Sequence, residues 1–164
     1  TKGIEAKFFP LGYSSVMDMQ IKKENCIKDI SGTFIGSINE KRRNILQKIA
    51  AEHGKNMIVA TGGIWGDAYK NVYEKTRTCI NIHYYQENTI LEATRILPFI
   101  ANNCIVITEK SDDRFYDNMY SSVVDFANTP EEFINIIRKY TEMDKEKYFE
   151  ETERRKKYIQ NNCN

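Results

Sequence analysis

Three short stretches of this sequence carry side chains that could hold or transform a ligand. Gly36-Ser37-Ile38-Asn39 is followed by Arg42 and Arg43; glycine permits close backbone approach and a guanidinium can neutralise phosphate oxygens. His83-Tyr84-Tyr85-Gln86-Glu87-Asn88-Thr89 is followed by Glu92, whose carboxylate could accept hydrogen bonds from vicinal hydroxyls such as a ribose pair. Gly62-Gly63-Ile64-Trp65-Gly66 sets the single tryptophan in a glycine-rich turn, where its ring could shield a base or a sugar. Each stretch also has a plainer reading. A strand–glycine–helix turn is common whatever it binds, and Glu92 and Arg95 stand at the spacing of a helical ion pair. His83 could contact phosphate or move a proton, since histidine as a type titrates near neutrality, or it could be a hydrogen-bonded core histidine; Trp65 could be simply core.

The elements around these stretches decide where they can sit. Apolar, β-rich runs at 30–38, 57–61, 79–85 and 104–108, with a further short run at 122–126, alternate with helical patterns, the order of a parallel sheet covered on both faces. The expected fold class is α/β: a doubly wound, mainly parallel, Rossmann-like sheet in a single domain. In such a sheet ligands bind beyond the carboxyl ends of the strands, and each stretch follows a strand directly. Helices are expected at 40–53, 67–75 and 87–102, the last kinked or split by Pro98, and another opens with Thr129 as cap and Pro130 at its first position. A helix from Glu87 would leave the amides of Glu87, Asn88 and Thr89 free for a diphosphate. Residues 1–28, with a strand-like piece at 7–9 and the turn Pro10-Leu11-Gly12-Tyr13, read as a lead-in segment, residues 29–143 as the Rossmann-like domain, and residues 144–164 as a peripheral charged helix. Arg154, Arg155, Lys156 and Lys157 there read as a solvated face in preference to a phosphate grip.

Composition narrows the partners. A chain of 164 residues with 41% hydrophobic and 29% charged residues suits one globular domain. No apolar run approaches the roughly 20 residues of a membrane span, and no signal peptide is visible. A net charge of +1 gives no general attraction to nucleic acid or to an anionic membrane. Cys26, Cys79, Cys104 and Cys163 are dispersed without a Cys-x-x-Cys pair, which reads as reduced thiols in a cytoplasmic protein. With His53 and His83 the only histidines, a structural zinc site is not expected.

Taken together, Phe34-Ile35-Gly36-Ser37, Gly63-Ile64-Trp65-Gly66, Asn81-Ile82-His83-Tyr84-Tyr85, Ile90-Leu91-Glu92, Arg95-Ile96 and Ile107-Thr108-Glu109 resemble the donor-binding, C-terminal half of glycosyltransferases of the two-Rossmann-domain class, from about residue 10 to residue 140. The resemblance implies that Glu92 holds the ribose and that Glu87, Asn88 and Thr89 hold the diphosphate. It implies a phosphate pocket completed by Gly36 with Ser37 and one of Arg42 or Arg43, Arg42 by register. Trp65, Tyr84 and Tyr85 would line the donor site. Many relatives carry a glutamate that contacts the donor sugar where this chain has Tyr84, so sugar recognition departs from the pattern. The implied donor is a nucleotide-diphosphate sugar, uridine being the favoured base, and the acceptor a glycan hydroxyl. The Asp-x-Asp motif of the other large transferase class is absent, so no metal and no other cofactor is expected. The catalytic base would lie on the missing acceptor half, or be His83 or an acid near Asp112. The acceptor half would lie elsewhere, on other domains of a longer polypeptide, and the wording, rich in Asn, Ile, Lys and Tyr, suits an AT-rich genome such as that of a large virus. A non-catalytic nucleotide-sugar-binding or interaction module is the competing reading; a nicotinamide enzyme is disfavoured because no Gly-x-Gly-x-x-Gly follows a strand.

Overall fold

The computed structural model describes residues 10–62, 64 and 66–163. Its β-branched runs become strands, and the central ones, Thr76–Asn81 and Ile105–Thr108, are buried on both faces. Strands β1 (Ile30–Ile35), β2 (Met57–Ala60), β3 (Thr76–Asn81), β4 (Ile105–Thr108) and β5 (Val124–Phe126) form one five-stranded parallel sheet in the order β2-β1-β3-β4-β5. Side chains alternate between two cores, Phe34, Ile105 and Ile107 into one and Ile35 and Val106 into the other. Helices α2 (Asp67–Lys75), α3 (Ala93–Ala101) and α4 (Arg114–Tyr120) bring Tyr73, Ile96, Leu97 and Tyr120 to the core of Val106, while α1 (Glu40–His53) and α5 (Pro130–Glu142) bring Leu46, Ile49, Phe133 and Ile137 to that of Phe34. Each such side chain contributes about 1.5–3 kcal/mol when fully buried. The expected α/β, doubly wound, single-domain architecture is the one observed. The chain steps from β1 outward to β2 and then returns to the other side of β1 for β3, so the winding reverses between β1 and β3. Their carboxyl ends frame the crevice.

Local sequence sets most element starts. Asn39 caps α1 by accepting from Arg42 N at 2.9 Å, and Thr129 caps α5 by accepting from Glu132 N at 3.2 Å with Pro130 at the first position. The third unit differs from expectation. β3 stops at Asn81 and α3 starts only at Ala93, leaving residues 82–92 as a loop, because Asn88 takes a left-handed φ of 53° that no helix contains. Glu92, expected well inside the helix, occupies its N-cap position, and Pro98 lies inside one nine-residue helix. The polar segment after β4 holds α4, capped by Asp113, whose side chain accepts from Phe115 N at 2.9 Å.

The C-terminal helix α6 (Lys145–Asn162) is not the peripheral element its charge suggests. Tyr148, Phe149, Thr152, Arg155 and Ile159 are buried, Tyr148 and Phe149 in the core of α1 and α5, Ile159 in that of α3. Arg155, expected in a solvated face, is 5% exposed and lies 2.8 Å from Asp125 Oδ2 and 2.7 Å from Glu151 Oε1, while Nη2 donates to the Tyr140 hydroxyl at 2.7 Å. A single buried charge within an otherwise polar helix left no trace in the hydrophobic periodicity. The lead-in segment is tied to the same region: Tyr13 N donates to Cys163 O, and Asn102 Nδ2 donates to Met17 O at 2.7 Å. Residues 7–9, read as strand-like, lie outside the described residues.

Hydrogen bonds from Arg154, with a further contribution from Arg155, hold the Glu151 carboxyl at about 2, below its ordinary 4.5. A depressed carboxylate pKa stabilises the fold fully above the unfolded value and loses that effect as pH falls through the folded one. The stability difference between the parent and Glu151→Gln, measured by urea unfolding, should therefore be constant above about pH 5 and shrink steadily toward about pH 2. A difference independent of pH would show that Glu151 does not act through its charge.

Candidate functional site

Where β1 and β3 end, their backbones leave the ladder and Arg42 takes over. Its guanidinium is 1% exposed. Nε and Nη2 donate to the Ile82 carbonyl at 2.9 and 2.5 Å, and Nη1 donates to the Ser37 carbonyl at 2.8 Å. The cation lies between the rings of Phe34 and Tyr84, 5.3 and 5.2 Å from their centroids. Burial, and next the nearby Arg95 guanidinium, pull its pKa below the ordinary value. Arg42 is thus a clamp between the loops after β1 and β3. It is not the open guanidinium expected to hold a phosphate, because most of its fork is engaged by backbone carbonyls.

The outward-facing cation is Arg95. Its Nη1 donates to Glu92 Oε2 at 2.8 Å and to Asn81 Oδ1 at 3.1 Å, so the helical ion pair foreseen for Glu92 does form. Glu92 Oε1 also lies 3.9 Å from Arg42 Nη2, which places one carboxylate between two guanidiniums. Gly36, with a φ of 157°, lets the backbone pass close to both: a Cβ there would lie 3.5 Å from Arg95 Nη2 and 3.6 Å from Arg42 Nη1. Arg95 Nη2 has no protein partner among the described residues. Arg95 and Glu92 each line a cavity. One, of about 420 Å³, runs between α2 and α3 and is lined by Gly36, Tyr69, Tyr73, Arg95, Pro98 and Phe99; the other, of about 250 Å³, is lined by His83, Tyr84, Asn88, Thr89, Ile90 and Glu92.

His83 is held by the residue that follows β4. Glu109 Oε2 accepts from His83 N at 2.7 Å and from Lys41 Nζ at 2.8 Å, and the Glu109 carbonyl lies 3.1 Å from His83 Nε2. Glu109 is itself 7% exposed, with its amide donating to Asn81 O at 3.1 Å. The rule that ligand groups follow strands points to Glu109 as well as to His83, but the sequence offered no sign that the two are partners. Arg95 was visible only as a partner of Glu92.

The remaining sequence-selected residues divide. Ser37 lies exposed at the crevice mouth, with Tyr84 41% and Tyr85 72% exposed beside it. Glu87 and Asn88 are exposed loop residues, not the first turn of a helix. Thr89 N and Oγ1 both donate to Asp112 Oδ2, at 2.9 and 3.1 Å, and these bonds hold the Asp112 carboxyl below the usual carboxylate range. At the true start of α3, the amides of Ala93, Arg95 and Ile96 already meet Leu91 O and Glu92 O. The expected cradle of helix-terminal amides is therefore largely closed. Arg43 is exposed beside an apolar hollow formed with Ile38, Leu46 and Val59, away from Arg95. Trp65 lies outside the described residues. Among the described residues no three His, Cys, Asp or Glu side chains gather to hold a metal ion, no helix is long and apolar enough to cross a membrane, and the four cysteines are unpaired and buried.

Removing the clamp should leave the buried Ile82 carbonyl without its guanidinium donors, at about 1–3 kcal/mol, and should also remove the bond to the Ser37 carbonyl and the packing of the buried side chain. Arg42→Ala should therefore lower the unfolding free energy by about 3 kcal/mol, whereas Arg43→Ala, on an exposed face, should change it by less than about 0.5 kcal/mol. Urea midpoints distinguish the two. Equal, small effects would mean that Arg42 does not tie the loops together.

No protein-family model matches this chain and no curated protein matches it, so the ligand of the crevice has to be argued from the chain's own side chains.

Proposed function

We propose that the crevice binds a nucleotide-diphosphate sugar, with uridine the favoured base, and that the domain is the donor half of a glycosyltransferase that passes the sugar to a glycan hydroxyl. The observation that carries this reading is the Arg95 guanidinium, fixed on one edge by Glu92 and Asn81 and open on the other toward Gly36. Around Gly36 two cations face one carboxylate. The surplus positive charge, held in a partly buried site, suits an anion with several oxygens. Phosphates placed at Arg95 have the larger cavity beside them. The aromatic cleft of Tyr69, Tyr73 and Phe99 offers flat surfaces for a base, and the smaller cavity with His83 offers polar groups for a sugar. Glu92, paired with Arg95, lines the smaller cavity, and its orientation by two guanidiniums leaves lone pairs for ribose hydroxyls.

In such a site the chain's task is to stabilise the nucleoside diphosphate as it leaves, which Arg95 does in place of the closed helix-terminal amides. Arg95→Met keeps much of the apolar stem and removes the charge. Calorimetric titration should show nucleoside-diphosphate binding weakened by about ten- to a hundredfold, the worth of one charge-assisted contact, with binding of the bare nucleoside within about twofold of the parent. If no member of a panel of nucleoside diphosphates binds the parent, or if the variant binds them equally well, the reading is wrong. Donor hydrolysis or transfer should persist in EDTA; activity lost on chelation and restored by magnesium or manganese would bring a metal into the reaction.

A further inference from the structure

His83 is one of the most enclosed polar side chains in the crevice, 4% exposed, yet only one of its ring nitrogens has a protein partner among the described residues. That partner is the main-chain carbonyl of Glu109, 3.1 Å from Nε2. A carbonyl can only accept, so in the neutral ring Nε2 carries the proton and Nδ1 presents a lone pair. Among the described residues Nδ1 has no protein partner, and it is not one of the fully enclosed polar atoms left without one, of which Asn103 Oδ1 is the single example there. His83 lines the 250 Å³ cavity, and Nδ1 is the ring nitrogen left to offer it an acceptor. The ring cannot turn over freely to offer its N–H instead, because that would face a lone pair to the Glu109 carbonyl. Glu109 also fixes the backbone beneath the ring by accepting from His83 N at 2.7 Å, and Lys41 holds the Glu109 carboxylate at 2.8 Å.

We infer that His83 is a specificity-determining acceptor: its Nδ1 takes a hydrogen bond from a hydroxyl, or from an amide N–H, on the sugar of the bound nucleotide sugar, and it does not contact phosphate. A lone pair repels phosphate oxygens and rewards a donor, so the same nitrogen divides the crevice into an anion end at Arg95 and a hydroxyl end at His83. Glu109 is the positioning residue that sets the tautomer through its carbonyl. The inference rests on the nucleotide-sugar reading above and adds which end of the ligand His83 meets.

The test uses the whole chain and two kinds of probe. UDP and GDP are titrated first, then UDP-glucose, UDP-N-acetylglucosamine and GDP-mannose, against the parent, His83→Phe and His83→Asn. Phenylalanine fills the space without an acceptor, whereas the asparagine amide oxygen can stand near the place of Nδ1. The expected result is a nucleotide sugar that binds His83→Phe about two- to tenfold more weakly than the parent, the effect of one neutral hydrogen bond, with the matching nucleoside diphosphate unchanged and His83→Asn partly restored. In parallel, ¹⁵N spectra of histidine-labelled parent should show the Nε2–H tautomer for one of the two histidines, with its Nδ1 resonance moved by the nucleotide sugar but not by the nucleoside diphosphate. Equal losses for nucleoside diphosphate and nucleotide sugar, or a Nδ1–H tautomer, would overturn the inference and leave the nucleotide reading standing. Absence of binding by every nucleoside diphosphate would sink both.

Discussion

The fork that Arg42 closes on the Ile82 carbonyl determines the shape of the crevice, because it joins the two strands between which the winding of the sheet reverses. Inside the sheet, β1 and β3 are held by their ladder; beyond Ile35 and Asn81 that ladder ends. A guanidinium is suited to the gap, since its planar donors can meet carbonyls from both loops at once and its faces can lie against rings. Phe34 and Tyr84 supply those rings, and the carbonyls of Ser37 and Ile82 satisfy the buried charge without a full neutralising partner. The nearest carboxylate, Glu92, is 3.9 Å away and is bound more closely by Arg95. The excess of positive charge that results is a consequence of how the loops are tied, and Arg95 is the cation placed to express it.

The parts of this arrangement that depend on periodicity were legible in the sequence. Alternating apolar runs and helical stripes gave a parallel α/β sheet, and the rule that ligands lie beyond strand ends picked out Gly36, His83 and Glu92 before any geometry was known. What was not legible depends on single residues overriding their surroundings. The helix expected from Glu87 fails at Asn88, whose left-handed backbone delays α3 to Ala93 and converts three supposed phosphate amides into loop groups, one of them engaged by Asp112. Arg42 and Arg43 are adjacent and chemically identical in sequence. One is buried and the other exposed because the turn set by the Asn39 cap points only the first toward Ile82. Arg155 repeats the lesson within a helix of charges, where a partner on β5, Asp125, draws one arginine inward. In each case the deciding contact joins residues far apart in the chain, which local pattern cannot register.

The two ends of the sheet are built on opposite principles. At the amino end, Lys28 turns its ammonium to Tyr73 O at 2.7 Å, Cys104 Sγ at 3.3 Å and Asn102 O at 3.4 Å. Arg77 donates to Lys28 O, Tyr140 O and Met143 O, and the Tyr148 hydroxyl of α6 lies 2.8 Å from Arg77 O. The Lys28 ammonium is enclosed and faces acceptors, and Arg77 Nε and Nη1 are engaged by main-chain carbonyls, so these groups tie elements together. At the carboxyl end, Arg95 Nη2, a donor, and His83 Nδ1, an acceptor, have no protein partner among the described residues. Both are held in place by bonds made through the other side of their own side chains, to Glu92 and Asn81 in one case and to the Glu109 carbonyl in the other. A fixed donor and a fixed acceptor in one crevice would suit a ligand that is anionic at one point and carries a hydrogen-bond donor at another, the chemical outline of the nucleotide sugar proposed above.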